Sequence, residues 1–156
     1  MDIKRINKTH VLQYDQTDCG VACLLSIIRY YNGNQNIDYL RKISGTTIQG
    51  TTLLGLYQAA VTLGFNANGI KSNINHLKLS KSPSILHVTI NNYPHYITYY
   101  GYNQKKGFLI GDPSKGIIFL NEKTLNEIWT LNVCLELIPN ISFNKSLEKE
   151  KKKLYR

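Results

Sequence analysis

The amino-acid sequence predicts an α+β fold in which helices come first and an antiparallel β-sheet follows. In the first half of the chain, apolar residues recur at helical spacing in residues 19–31, 36–43 and 51–63. After Pro83 the chain changes to short runs rich in β-branched and aromatic residues, which are separated by the turn clusters NNYP, NQKKG and DPSKG. Helical segments followed by a series of strands are typical of the α+β class.

The helix predicted over residues 19–31 has the clearest pattern, and an Asn-Gly pair ends it. We expect Asp18 or Thr17 to cap its N-terminus, which places Cys19 in the first turn. Residues 1–9 are polar and expected to be loose. The other predicted elements are helices over residues 74–79 and 124–129 and strands over residues 65–70, 85–90, 95–102, 108–111, 117–120 and 133–138.

Length and charge limit the possible classes of protein. A chain of 156 residues forms one domain with its own core. Residues 1–140 are predicted to be that domain, and residues 141–156 a basic tail or linker with six Lys/Arg and two Glu. The last part of this tail, residues 146–156, has no evident apolar face. The net charge of +9 favours an acidic peptide or an anionic lipid as partner, and no nucleic-acid-binding motif is present.

Three cysteines exclude a complete disulfide framework, and none has zinc-ligand spacing, so we expect a reducing compartment and no metal. The N-terminus lacks the apolar segment of a secretory signal. No apolar run approaches the roughly 18 residues that a membrane span needs. A soluble domain is therefore expected.

Cys19 is the candidate nucleophile. The first turn of a helix presents unpaired N–H groups and the positive end of the helix dipole, and both stabilise a thiolate. Gly20 is expected to leave room for a substrate. The alternative is that Cys19 is simply a small buried apolar residue. Cys23, one turn further along, and Cys134, in a predicted strand, are both interpreted as structural.

A thiolate nucleophile needs a general base and a group that orients the base. Of the four histidines, His95 lies at the start of a predicted strand beside a loop, and His87 lies within a strand, where a core role is the simpler interpretation. Asp112 ends the predicted strand that follows the strand of His95. If these two strands pair antiparallel through the NQKKG turn, Asp112 lies close to His95. It either orients the imidazole or only forms an Asp-Pro turn. Gln13 and Gln16 are alternative donors to an oxyanion.

Several sequence blocks match a known family. The strings QYDQTDCGVACLLSIIRYY, GTTLLGLYQAAVTLGFNA, PSILHV, PHYITYYGY and IGDPSKG resemble the peptidase domain of bacteriocin-processing ABC transporters. Members of this family are double-glycine leader peptidases with a papain-like cysteine protease fold. The resemblance covers nearly the whole domain, and its most specific part is the pattern Gln-x-Asp-x-x-Asp-Cys-Gly.

The resemblance implies a role for each matching residue. It implies that Cys19 is the nucleophile, His95 the general base and acid, Asp112 the orienting carboxylate, and Gln13 the oxyanion donor, in preference to His87 and Gln16. The implied reaction removes the leader of a bacteriocin or signalling peptide after a Gly-Gly pair, coupled to export. The implied partner is a precursor whose amphipathic helical leader binds an apolar groove. The Tyr and Leu residues within residues 51–63 are candidates for this groove, and they fit the core equally well.

The resemblance also implies a setting. Family members form the N-terminal part of an exporter on the cytoplasmic face of the bacterial membrane, so the basic tail would lead to a membrane domain. The exporter is expected to be a homodimer and the isolated domain a monomer. ATP and Mg would serve only the ATPase domain, and the peptidase would need no cofactor. Rival interpretations are a non-catalytic leader-docking domain, which the presence of Cys19 disfavours, and another papain-like acyl- or amide-transferring enzyme.

Overall fold

The computed structural model describes residues 1–155 and confirms the α+β class, with helices followed by a six-stranded antiparallel sheet. A short 3-10 turn, Gln16–Asp18, runs directly into the second helix. The helices are α1 Ile3–Thr9, α2 Cys19–Tyr30, α3 Ile37–Ser44, α4 Leu53–Thr62, α5 Ile74–Leu79, α6 Glu122–Ile128 and α7 Ile141–Leu154. The strands are β1 Phe65–Lys71, β2 Ser84–Ile90, β3 Tyr93–Asn103, β4 Gly107–Asp112, β5 Gly116–Leu120 and β6 Val133–Pro139.

Local side chains set the ends of several helices. The Asn36 side chain accepts hydrogen bonds from the first-turn N–H groups of α3, and Gly45 ends this helix with a φ of 66°. The Thr52 hydroxyl accepts the N–H of Gly55 at 3.0 Å and so caps α4. These caps satisfy backbone groups that a helix leaves unpaired at its ends.

The strands lie in the order β1-β6-β2-β3-β4-β5, so the last strand is inserted between the first two. The hairpin of β3 and β4 forms through the predicted NQKKG turn, with Asn103 opposite Gly107 and Thr98 opposite Gly111. This antiparallel pairing returns the end of β4, and with it Asp112, toward the beginning of β3.

Apolar clusters lie on both faces of the sheet. The larger one joins α2, α3 and α4 to one face, and α2 is buried from Cys19 through Ile28. The second cluster packs α5 and α6 against strands β2, β3 and β4. Burial of α2 along almost its whole length holds its N-terminus rigidly beside the sheet.

Three expectations about the fold were wrong in detail. Residues 1–9 form helix α1, because Asp2 caps it and Ile6 is completely buried against the sheet. Strand β3 begins at Tyr93, two residues before His95. The expectation of a tail without an apolar face missed one contact, since Leu147 of α7 packs beside the buried Phe143 on the larger cluster.

Within residues 1–155, no helix is both long enough and apolar enough to cross a membrane. The same residues contain no group of three or more His, Cys, Asp or Glu side chains with the spacing of a metal site.

Candidate active site

The fold places Cys19 at the first position of α2, directly after the 3-10 turn. The Asp15 carboxylate stabilises this turn by accepting the N–H of Thr17 at 2.8 Å. The Cys19 side chain is nearly buried, with 8% of its surface exposed. The thiol therefore lies at the positive end of a 12-residue helix and away from bulk water.

Asp18 occupies the N-cap position, as predicted, but its side chain makes no capping hydrogen bond. Both carboxylate oxygens accept instead from the guanidinium of Arg41 on α3, one of them from Nε at 2.8 Å. The buried Asp18 carboxylate thus has a charged partner. The first-turn N–H groups of α2 therefore have no capping side chain.

Gly20 lies at a close contact between α2 and its neighbours. A Cβ atom at this position would lie 3.2 Å from side-chain carbons of both Leu56 and Tyr96. The absent side chain therefore allows α2 to pack closely against α4 and β3, and the room that it was expected to leave for a substrate stays a prediction.

His95 and Asp112 form a hydrogen-bonded pair. The Nε2 atom of His95 donates to Oδ1 of Asp112 at 2.8 Å, and Asp112 is 3% exposed. Because Nε2 is engaged by the carboxylate, Nδ1 is the ring nitrogen left for the thiol. The Cys19 side chain lies near enough to His95 to help raise the pKa of the ring. The structure therefore brings together the three side chains that the sequence proposed as nucleophile, base and orienting group.

The pKa values of the pair are shifted toward the charged forms. Burial lowers the pKa of His95, but hydrogen bonds with Asp112 and Cys19 outweigh it and raise this pKa to about 9. Burial also raises the pKa of Asp112, yet hydrogen bonds from His95 and Ser114 bring it below its ordinary value. The site thus stabilises an imidazolium beside a carboxylate.

Gln13 lies in the segment that connects α1 to the 3-10 turn. Its N–H donates to the carbonyl of Pro113 at 2.8 Å, and the nearby Val11 N–H donates to Ser26 Oγ at 2.9 Å. Gln13 is partly buried, and its Oε1 atom has no hydrogen-bond partner among residues 1–155. Gln16 is exposed. The fixed backbone and the partial burial make Gln13 the better placed of the two amides, and its role stays a prediction.

The remaining cysteines and histidines have other surroundings. Cys23 and Cys134 are buried free thiols whose pKa values are raised by burial, that of Cys134 to about 12. Such thiols are poor nucleophiles, in keeping with a structural role. His87 stacks on the Tyr96 ring at 4.7 Å between centroids, and His76 pairs with Glu136 at 2.6 Å.

Two neighbours of the site had no interpretable signal in the sequence. Arg41 is 23 positions from Asp18, and a buried carboxylate implies a cation without saying which one. His10 packs against the end of β4, where its Nδ1 lies 3.2 Å from the position that a Cβ atom would take if residue 111 were not glycine. Burial lowers the pKa of His10, although the backbone and charge of Asp112 partly oppose this effect.

Comparison with known proteins gives consistent results. The sequence pattern that defines the family described as Peptidase C39 matches residues 7–142. The chain is 33% identical over 146 residues to the lactococcin transport/processing ATP-binding protein LcnC-like of Lactococcus lactis, which covers 91% of this chain and 20% of that protein. It is 31% identical to the pediocin PA-1 transport/processing ATP-binding protein PedD of Pediococcus acidilactici, over 88% of this chain and 19% of that protein. The chain thus spans about a fifth of the length of these relatives.

Solved structures show the same fold. The peptidase domain of Streptococcus ComA, a bifunctional ABC transporter of a quorum-sensing pathway, has a TM-score of 0.76 and 36% identity, covering 83% of this chain and 97% of that one. A double glycine motif protease from an AMS/PCAT transporter, in complex with its leader peptide, has a TM-score of 0.75 and 26% identity, covering 83% of this chain and 90% of that one.

Proposed function

Because this chain belongs to the peptidase C39 family, we propose that it cleaves a precursor peptide after a Gly-Gly pair and so removes the leader of a bacteriocin or signalling peptide. The family resemblance and the cysteine-peptidase class predicted from the sequence are confirmed by this membership. The observation that carries the proposal is the position of Cys19 at the start of α2, beside the hydrogen-bonded pair of His95 and Asp112.

The proposed reaction is acyl transfer to sulfur. The Cys19 thiolate attacks the carbonyl carbon of the second glycine, and the resulting oxyanion accepts hydrogen bonds from the Gln13 amide and first-turn N–H groups of α2. The C–N bond then breaks, and the His95 imidazolium gives its proton to the departing amine. The neutral imidazole next takes a proton from water, which attacks the thioester and releases the leader as a carboxylate. Asp112 keeps the ring oriented in both steps.

Selection for two glycines has a simple physical basis. A narrow cleft that leaves no room for a Cβ atom rejects every other residue by steric conflict, so specificity comes from exclusion as well as attraction. Cys19 itself is only 8% exposed, which fits a narrow approach to the thiol. We expect replacement of either glycine in the substrate by alanine to lower cleavage sharply.

The leader is proposed to bind α4 as an amphipathic helix. Leu54, Tyr57 and Val61 are 63%, 39% and 48% exposed and lie along one side of this helix, and we refer to them as the α4 stripe. Helix α4 begins close to the site, because the Thr51 carbonyl accepts a hydrogen bond from Tyr96, the residue after His95. An apolar stripe beside the active site, on a chain of charge +9, suits an amphipathic acidic leader.

The setting of the domain is proposed from the named relatives, which are transport/processing ATP-binding proteins about five times longer than this chain. In this proposal, residues 141–156 lead to the membrane domain of an exporter, and the peptidase lies at the cytoplasmic face of the bacterial membrane. The exporter acts as a homodimer that uses ATP and Mg in a separate ATPase domain. The peptidase domain alone is a monomer and cleaves without a cofactor.

The proposal is tested with Cys19→Ala and a peptide that carries a double-glycine leader. We expect this variant to lose cleavage completely, because the two remaining thiols are buried and their pKa values are raised, and to bind the leader as tightly as the wild type. Cys134→Ala is the matched control, since it removes a buried thiol from the second core cluster and should keep cleavage. Mass spectrometry of the products measures cleavage, and fluorescence anisotropy measures binding. Cleavage that persists in Cys19→Ala would refute the assignment of the nucleophile.

Alkylation with iodoacetamide distinguishes the proposed enzyme from a non-catalytic docking domain. The proposed enzyme should be alkylated at Cys19 at neutral pH, before Cys23 and Cys134, because only Cys19 has an imidazolium beside it. A docking domain should show no such preference.

A further inference from the structure

The turn from Asp112 to Lys115 gives the orienting carboxylate an unusual number of donors on one oxygen. Oδ1 of Asp112 accepts from His95 Nε2 at 2.8 Å, from the Ser114 N–H at 2.9 Å and from the Ser114 hydroxyl at 2.7 Å. The Lys115 N–H donates to the Asp112 carbonyl at 3.1 Å and closes the turn. The carboxylate that orients His95 is therefore itself oriented by a residue two positions further along the chain.

Ser114 is well suited to this task. Asp112 is the last residue of β4 and pairs with Gly116 of β5, so the sheet fixes its main chain but not the orientation of its carboxylate. The two hydrogen bonds from Ser114 hold Oδ1 on the side of the turn, and His95 donates to the same atom from strand β3. Hydrogen bonds to an ionised group are shorter and stronger than neutral ones. Ser114 is exposed, so its hydroxyl contributes little to core packing.

The same turn also contacts the other half of the site. The carbonyl of Pro113, between Asp112 and Ser114, accepts the N–H of Gln13 at 2.8 Å. One short turn thus holds both the Asp112 carboxylate, through Ser114, and the backbone of Gln13, the proposed oxyanion donor, through Pro113. A shift of this turn would move both groups relative to Cys19.

We propose that Ser114 is a positioning residue, which holds the Asp112 carboxylate where it aligns the His95 ring with the Cys19 thiol. This inference rests on the proposed function, because it assumes the roles assigned to those three side chains. The titratable groups that act on or are acted on by Asp112 are His10, Cys23 and His95, and Cys19 acts on His95.

The test compares Ser114→Ala, Ser114→Thr and the wild type on a double-glycine peptide between pH 6 and 10. In Ser114→Ala we expect kcat to fall about tenfold with KM within about twofold, the effect of losing one charge-assisted hydrogen bond. We also expect the alkaline limit of kcat to move to lower pH, because a less ordered carboxylate supports the imidazolium less well. Ser114→Thr keeps the hydroxyl and should restore both quantities. Ser142→Ala, an exposed serine at the start of α7, is the matched control.

A purely structural role predicts a different result. It would lower the melting temperature of Ser114→Ala without moving the alkaline limit, and this outcome, like an unchanged kcat, would overturn the proposal. The pH dependence of Cys19 alkylation by iodoacetamide gives a second readout that needs no peptide. If the wild type cleaves no double-glycine peptide, the proposed function fails. A shift of the alkylation profile in Ser114→Ala would then still support the positioning role, and an unchanged profile would overturn it.

Discussion

At the scale of single residues, the site is defined by charges that its surroundings would not favour on their own. Burial opposes the charged forms of both His95 and Asp112, yet their pKa values move toward those forms. Each group supplies the opposite charge that the other needs, and the Cys19 thiol adds a further partner to the ring. The imidazolium therefore persists to about pH 9 and can serve as the acid that protonates the departing amine.

This pairing predicts the effect of Asp112→Asn on the pH profile. A raised folded-state pKa means that the protonated ring is favoured, so wild-type activity should be lost as the pH rises through about 9. An amide removes the negative charge, which lowers the pKa of His95 and moves the alkaline limit of kcat/KM toward about 6.5 to 7. The kcat value should also fall, because the ring loses its orienting partner.

The profile is measured with a double-glycine peptide at constant ionic strength. Glu136→Gln is the control, because Glu136 pairs with His76 and not with a proposed catalytic residue. It should leave the alkaline limit unchanged. An alkaline limit that stays near 9 in Asp112→Asn would show that the carboxylate does not control the ionisation of His95.

At the scale of secondary-structure elements, the pair of Asp18 and Arg41 joins the start of α2 to the last turn of α3. The Asp18 side chain is 2% exposed, whereas that of Arg41 is 30% exposed. A second carboxylate, Asp38, also binds Arg41 but is largely exposed. The inner bond therefore contributes most of the coupling, because solvent screens the outer one.

Arg41→Met should lower the free energy of unfolding by about 2 kcal/mol, because it leaves a buried carboxylate without its counter-charge. Asp38→Asn, which removes the exposed partner, should cost less than about 0.5 kcal/mol. Urea denaturation at pH 7 measures both. The double variant Asp18→Asn with Arg41→Met should recover part of the loss, because no unpaired charge then remains. A cost for Arg41→Met as small as that for Asp38→Asn would contradict this account.

At the scale of the whole molecule, local sequence patterns predicted where helices and strands occur better than they predicted which of these elements lie next to each other. Helix α2 begins at Cys19 as predicted, since its apolar spacing and its end signal lie within one segment. Helix α1 was missed because only Ile6 among its seven residues is buried, and one apolar position sets no period. The insertion of β6 between β1 and β2 could not be predicted, because alternation within a strand does not specify its partner.

The active-site residues show the same difference between local features and contacts in space. A cysteine at a helix start is a local feature, and its reactivity could be argued from the sequence alone. The pairing of His95 with Asp112 needed the β3–β4 register, which the turn cluster between them made predictable. The contacts of Arg41, Ser114 and Pro113 depend on side-chain directions that a single sequence does not contain. The choice of Gln13 over Gln16 came from the family resemblance and not from physical reasoning.

The exposed surface of the molecule leads to a prediction about leader recognition. If the leader helix binds the α4 stripe, Leu54→Gln combined with Val61→Gln should raise KM about tenfold and leave kcat within about twofold. The expected size follows from the loss of about 1.5 kcal/mol of apolar contact, made equally in the ground state and the transition state. Neutral glutamine avoids any confusion with charge effects on an acidic leader.

The chain offers both a control variant and a second candidate surface for leader binding. Leu79→Gln removes an 80% exposed leucine from α5, which packs on the opposite face of the sheet, and should not change KM. Leu12 lines a groove of about 310 Å³ that also includes Gln13 and runs along α2 to Arg29. If Leu12→Gln raises KM while the α4 double variant does not, the leader binds that groove and the α4 stripe is excluded. Because every substituted residue is exposed, loss of folding would not explain either result.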